Sequence, residues 1–204
     1  MDGMRRILNS KPLFWALLAI PALVILPRWF GEDVYLPDDL IAPTGVWAAR
    51  FIILALMLTP LSMLSRGASW IRWLVQRRRA LGVAAFAYSV LHLFFYLLDM
   101  ETLENVLAEI GAFGIWTGWA AILLMLPLAL TSNDAAMRAL KTGWKRLQRL
   151  VYPTALLTLI HWMFIHDSLA EALIHFAPLA ALQLYRLLRR FEFRSQAPHQ
   201  EETA

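Results

Sequence analysis

Apolar residues are gathered into six long runs separated by short polar segments. The runs extend from about Leu13 to Leu26 and onward toward Phe30, from just after the turn signal Pro43-Thr44-Gly45 to Met63, and from Ala80 to Leu98. Three more follow, from Phe113 to Leu130, Leu150 to Ile165 and Ala172 to Leu188. Each approaches the roughly 20 residues that a helix needs to cross ~30 Å of hydrocarbon. A spanning segment must satisfy its own backbone polar groups, which a helix does by itself. The pattern therefore predicts an all-α fold, a polytopic membrane bundle of six transmembrane helices. Pro21 and Pro178 fall inside the first and sixth runs and predict kinks. Two shorter pieces, Glu101 to Ile110 and Ala135 to Trp144, should lie along the surface, the second capped by Thr131-Ser132-Asn133-Asp134.

The polar segments alternate in sign. Arg5, Arg6 and Lys11 precede the first run, and Arg66, Arg72, Arg77, Arg78 and Arg79 separate the second from the third. Arg138, Lys141, Lys145, Arg146 and Arg149 separate the fourth from the fifth, and Arg186, Arg189, Arg190 and Arg194 close the sixth. The intervening segments hold Glu32, Asp33, Asp38 and Asp39, then Asp99, Glu101, Glu104 and Glu109, then Asp167 and Glu171, with Arg28 their only base. The positive-inside rule puts both termini in the cytoplasm, in keeping with an even number of crossings. Trp29 and Trp47 on the outer side, and Trp70, Trp73 and Trp144 on the inner, fit interfacial belts. The expected organisation is a cytoplasmic N-terminus over residues 1–12, a membrane domain over 13–190, and a cytoplasmic disordered tail over 191–204. The opening MDGMRRILNSKP has the charge of a signal peptide but no clear small-x-small cleavage site, so the first run is kept as a helix.

Composition narrows the chemistry. Hydrophobic residues make up 59% of the chain and charged ones only 17%, as a lipid-embedded protein requires. The net charge of +4 comes from blocks sorted by topology rather than from one basic face, which argues for membrane lipid and against nucleic acid as a partner. No cysteine occurs, so disulfides, thiolate metal sites and iron–sulfur clusters are excluded, and any redox chemistry needs a bound cofactor. No phosphate-binding loop, dinucleotide fingerprint or metalloprotease motif occurs either.

Two histidines sit where the pattern makes them expensive. His92 lies in AFAYSVLHLFFYLL and His161 in LVYPTALLTLIHWMFI, and an ionisable side chain inside a membrane span marks a functional site. His92 is seven residues before Asp99 and His161 six before Asp167. At ~1.5 Å per residue both lie roughly 9 to 11 Å inside the outer boundary. Ala85 and Ser89 share the face of His92, and Thr154 and Thr158 that of His161, leaving room for a flat ligand. A threonine or a carbonyl would accept the second ring N–H and fix the tautomer. One haem iron held from both sides is the simplest common ligand; a hydrogen bond from helix to helix is the alternative. Arg50, near the same depth on the second helix, is a candidate partner for a haem propionate, with snorkelling to the headgroups as its other reading. His166 and His175, at the outer edge, are expected to be polar interface residues.

Several motifs together carry a resemblance. They are Arg78-Arg79-Ala80-Leu81-Gly82 leading to Leu91-His92-Leu93, Leu128-Ala129-Leu130-Thr131-Ser132, and Trp144-x-x-Leu147-x-x-Leu150-Val151-Tyr152 followed by Ile160-His161. Over roughly Pro43 to Arg190 the chain resembles the MsrQ (YedZ) family, haem-binding membrane subunits of the bacterial protein-methionine-sulfoxide reductase system within the ferric-reductase-like transmembrane superfamily. The resemblance implies a b-type haem protein of the bacterial inner membrane, an electron-transfer subunit with no substrate chemistry of its own. It implies electrons drawn from a cytoplasmic flavin reductase or the quinone pool and passed to the periplasmic molybdopterin enzyme MsrP, which reduces methionine sulfoxide in envelope proteins. FMN binding is implied for some members.

One position departs from the family pattern. Where the family has a histidine near Trp144, this chain has Gln148, roughly 20 Å below His161 along the helix. Glutamine is a poor iron ligand, and the matching level of the third helix holds Arg78. One haem at the outer level is therefore expected, with two as the family alternative. Trp144, Tyr152 and Tyr88 are candidates for assisting electron transfer across the inner leaflet or for contacting a flavin, and otherwise for anchoring and packing. The basic loops from Arg72 to Arg79 and Lys141 to Arg149 are candidate docking surfaces for an acidic reductase or a flavin phosphate. No FAD or NADPH module follows the sixth run, so a separate donor is expected. Rival readings are another haem-dependent ferric or quinol-linked electron carrier, and a cofactor-free membrane transporter or scaffold.

Overall fold

The computed structural model describes residues 10–31, 35–165 and 169–196, and these form helices without a strand. His166, Asp167, Glu32, Asp33, His199 and the tail from 197 lie outside the described residues. The helices are α1 (Lys11–Trp29), α2 (Pro37–Leu64), α3 (Ser69–Gln76), α4 (Arg78–Asp99), α5 (Leu103–Glu109), α6 (Phe113–Leu130), α7 (Asp134–Leu140), α8 (Thr142–Leu147), α9 (Val151–Ile165) and α10 (Leu169–Gln196).

Four of them, α1, α2, α4 and α6, are long and apolar enough to cross a membrane. Two of the six expected spans differ for identifiable reasons. Pro153 has no N–H to give to an earlier turn, so regular α-helix begins only at Val151, after a 3-10 turn over Gln148–Leu150, and α9 has 15 residues. In α10 Glu171, His175 and Gln183 interrupt the apolar run, and the helix continues without a break into Arg186, Arg189, Arg190 and Glu192, so a 28-residue helix forms that is less apolar than the other four. The helix reaches Gln196, six residues into the segment expected to be a disordered tail.

The turn expected at Pro43-Thr44-Gly45 does not form. Helix α2 begins earlier, where Pro37 stands in its first turn and the Asp39 carboxylate accepts the Leu36 backbone N–H at 3.0 Å. It then runs straight through the three residues, and the Thr44 hydroxyl folds back on the carbonyls of Leu40 and Ile41 at 2.7 and 2.8 Å. The inner surface helix expected from Ala135 to Trp144 is instead two pieces. Asn133 caps the first through the Ala136 N–H at 2.8 Å, the chain turns at Lys141 with φ of 47°, and the Trp144 indole is tied to the Thr131 carbonyl at 2.9 Å.

Helix α2 is the centre of the bundle: residues buried along its length, among them Ala49, Ile52, Leu56 and Leu58, join one core with residues of α1, α4, α6, α9 and α10. Outward-facing Leu23, Leu123 and Ile174 are 66%, 63% and 72% exposed, an apolar exterior that suits lipid rather than water. Pro21 lies inside α1, and beside it the Tyr88 hydroxyl of α4 engages both Ala22 and Leu18 of its ladder. It accepts the Ala22 N–H at 2.7 Å and donates to the Leu18 carbonyl at 2.9 Å.

At one end of the bundle the basic segments converge. Arg79 pairs with Asp134, joining the start of α4 to the start of α7. Arg78 donates to the Thr59 hydroxyl at 3.3 Å, Arg186 to the Tyr152 hydroxyl at 2.8 Å, and Gln183 to the Leu56 carbonyl at 3.0 Å. These contacts bring neighbouring ends of α2, α4, α9 and α10 to one level.

Candidate functional site

His92 and His161 meet. Their ring centres are 6.0 Å apart and the rings are perpendicular, at 85°. The two helices that carry them reach this arrangement through intermediaries: α4 packs mainly on α2, and α9 mainly on α6.

Each imidazole is seated on the helix beside it in the same way. His92 Nδ1 lies 2.8 Å from the Ile41 carbonyl, and His161 Nδ1 lies 2.7 Å from the Gly114 carbonyl. A carbonyl only accepts, so both Nδ1 atoms carry hydrogen, and in the neutral rings the lone pair is left on Nε2. One turn beyond each carbonyl stands a glycine, Gly45 in α2 and Gly118 in α6. A Cβ there would lie 2.9 Å from His92 Nδ1 or 2.7 Å from His161 Nδ1, closer than side chains pack. The missing side chain is what lets each ring rest against a helix backbone. Gly114 makes the same kind of close approach to Phe164 and Ile165, so Gly114-x-x-x-Gly118 draws α9 onto α6 as small residues do in membrane helix pairs.

Both histidines line a cavity of about 850 Å³, counting its open mouth, between α2, α4, α6 and α9. Small residues on three helices open the space, namely Gly45, Ala48 and Ala49, Ser89, and Gly118 and Ala121. The walls are otherwise apolar, with Tyr96, Trp119 and Trp162 as the large aromatic members.

The sequence profile described as "Ferric reductase like transmembrane component" matches residues 44–159, over half of the chain and from early α2 to late α9. A protein of Xanthomonas euvesicatoria named "Protein-methionine-sulfoxide reductase heme-binding subunit MsrQ" is 37% identical over 81% of this chain and 78% of its own length. Proteins of the same name from Xanthomonas oryzae and Azospira oryzae are each 38% identical, over 77% and 76% of this chain and 74% and 67% of theirs. The chain belongs to the MsrQ family of ferric-reductase-like transmembrane proteins. It is accordingly a multi-pass membrane protein.

In this MsrQ-family chain the other residues singled out by sequence lie elsewhere. Arg50 does not line the cavity; its Nε donates to His175 Nε2 at 3.3 Å, and its guanidinium lies 4.9 Å from the Trp47 ring centre. His175 in turn donates from Nδ1 to the Glu171 carbonyl at 2.9 Å and stacks on Trp162 with ring centres 4.8 Å apart. Gln148 is held at the opposite end of α9, donating at 3.3 Å to the Leu128 carbonyl and the Thr131 hydroxyl. Thr158 and Ser89 reach the cavity, whereas Thr154 is buried with its hydroxyl on the Leu150 carbonyl. The tautomers are thus set by backbone carbonyls and not by threonines. Sequence reasoning missed Gly45, Gly118, Tyr96 and Trp162. Of these, the Gly-x-x-x-Gly spacing at 114 and 118 was the one visible signal.

Proposed function

We propose that the chain is a b-type cytochrome of the bacterial inner membrane that binds one haem through His92 and His161. The facing imidazoles carry the reading. The ring centres are 6.0 Å apart at one cavity, so a single metal between them would be within reach of both rings. Each ring also gives its second N–H to a carbonyl, the arrangement that metal-bound histidines need. The residues therefore fit the group: a small-walled apolar cavity, two imidazoles each held through Nδ1 by a backbone carbonyl, and glycines that admit them. When bound, haem supplies a one-electron carrier inside the membrane. The protein's part is to hold the two ligands apart at one depth and to keep the surroundings dry.

The direction of transfer proposed is from a cytoplasmic flavin reductase, or the quinone pool, to the periplasmic molybdopterin enzyme MsrP. The names of the relatives, heme-binding subunits of a protein-methionine-sulfoxide reductase, support a role in that system. Six crossings with both termini inside are supported by the convergence of the basic segments at one end of the bundle. A second haem has no support from Gln148, whose amide is engaged with α6. FMN belongs to the proposal only through the family resemblance.

Absorption spectra of the detergent-purified protein, oxidised and dithionite-reduced, with haem quantified per chain, test this reading. About one low-spin b haem is expected, with loss of haem in His92→Ala and in His161→Ala while both variants still insert. Normal haem in both variants would remove the ligand assignment.

A further inference from the structure

A buried hydroxyl or N–H with no acceptor costs roughly a tenfold or greater factor in a folding equilibrium, so native proteins leave few of them. Among the described residues two buried side-chain polar atoms have no hydrogen-bond partner, Tyr96 Oη and Trp162 Nε1. Both belong to residues that line the histidine cavity. Buried polar groups away from it are satisfied: Thr44 on Leu40 and Ile41, Thr154 on Leu150, Tyr88 on Leu18.

The two are placed beside the histidines. Tyr96 is one helical turn beyond His92 in α4, and Trp162 adjoins His161 in α9. Neither ring is loose. Tyr96 stands edge-on to Trp119 at 6.5 Å, and Trp162, only 4% exposed, is packed against His175 at 4.8 Å and Phe176 at 6.4 Å. An indole N–H can only donate, and a phenol donates readily. Their complement is an acceptor, and in apolar surroundings the strongest acceptor is a carboxylate oxygen.

We propose that Tyr96 and Trp162 are the hydrogen-bond donors for the carboxylates of the haem, a role for which sequence pointed to Arg50. The proposal rests on the haem reading above. Arg50 is committed to His175 and Trp47, so recognition of the carboxylates passes to neutral donors. Neutral donors bring no formal charge to the iron's surroundings. They still draw electron density from the carboxylates, and that disfavours the ferric state relative to a bare carboxylate.

The test uses the full-length haem-loaded protein and the variants Tyr96→Phe and Trp162→Phe, which keep the rings and remove the donors. Haem retention during detergent dialysis, the midpoint potential, and carboxylate bands in redox-difference infrared spectra are measured. Both variants should keep the low-spin spectrum, hold haem about tenfold more weakly per donor removed, shift the carboxylate bands, and titrate at a lower potential. Retention and carboxylate bands identical to wild type in both variants would overturn the proposal and leave water as the acceptor. Tyr96→Phe removes a single oxygen and decides alone if Trp162→Phe does not fold. A wild-type protein that takes up no haem would overturn the cytochrome reading itself, an outcome distinct from a normal wild type with silent variants.

Discussion

Replacing Gly118 by alanine perturbs the site by one methyl group. An ideal Cβ at this position lies 2.7 Å from both His161 Cε1 and Nδ1 and 3.3 Å from Cγ, where ordinary contact starts near 3.4 Å. The shortfall of about 0.7 Å falls on a rigid ring, and α6 is already drawn tight against α9 at Gly114. The imidazole must therefore swing away, which breaks its 2.7 Å bond to the Gly114 carbonyl. Overpacking of this kind costs ~1–3 kcal/mol, and the lost hydrogen bond adds ~1 kcal/mol. Together about 2–4 kcal/mol is set against the seated geometry, or roughly a 30- to 1,000-fold loss in haem affinity. Pyridine haemochrome against protein, with the reduced spectrum, reads the loss. A double-mutant cycle separates clash from general damage: in a His161→Ala background the same methyl has nothing to strike, so it should barely change thermal stability. Full haem content with an unchanged spectrum in Gly118→Ala would refute the seating of His161 on α6.

Tyr88→Phe removes the hydroxyl that bridges Ala22 and Leu18, and a melt in detergent should show destabilisation of about 1–3 kcal/mol; an unchanged melting temperature would mean that α1 closes its own ladder at no cost. The Arg79 guanidinium holds the Asp134 carboxyl below the usual carboxylate range. A depressed value means that the pair's contribution is present above the unfolded carboxyl pKa, near ~4, and is lost as pH falls through the folded value. The gap in melting temperature between wild type and Arg79→Ala should therefore be small, salt-sensitive, and shrink below about pH 4. A gap that widens in acid would contradict the pairing.

The histidines were legible because hydrocarbon makes them conspicuous, and counting from Asp99 and Asp167 put them at one depth. The structure brings them together. Helix α6 was legible to the residue because Gly111-Ala112 and Thr131-Ser132 bound an uncharged, mostly apolar run. Failure came where a local rule met a tertiary partner. Pro43-Thr44-Gly45 has the composition of a turn, yet Gly45 is there for the His92 ring and Thr44 serves the carbonyls of its own helix. Arg50 is turned from the cavity to His175 and Trp47, an azimuth that counting along a helix from the charged edges does not resolve. Tyr96 and Trp162 looked like two more aromatics in an aromatic-rich chain. Only the positions of their polar atoms set them apart.

The phenol wedged into α1 has a consequence for biogenesis. Spans leave the translocation machinery in chain order, so α1 meets the bilayer two spans ahead of Tyr88. Until then Ala22 and Leu18 have only each other, because lipid offers neither donor nor acceptor. The nascent α1 therefore closes this turn by itself, and the Tyr88 hydroxyl joins Ala22 and Leu18 only when α4 docks. Insertion and folding are thus separable for this helix: it enters the membrane complete in itself, and gains a hydrogen-bond partner from a span made later.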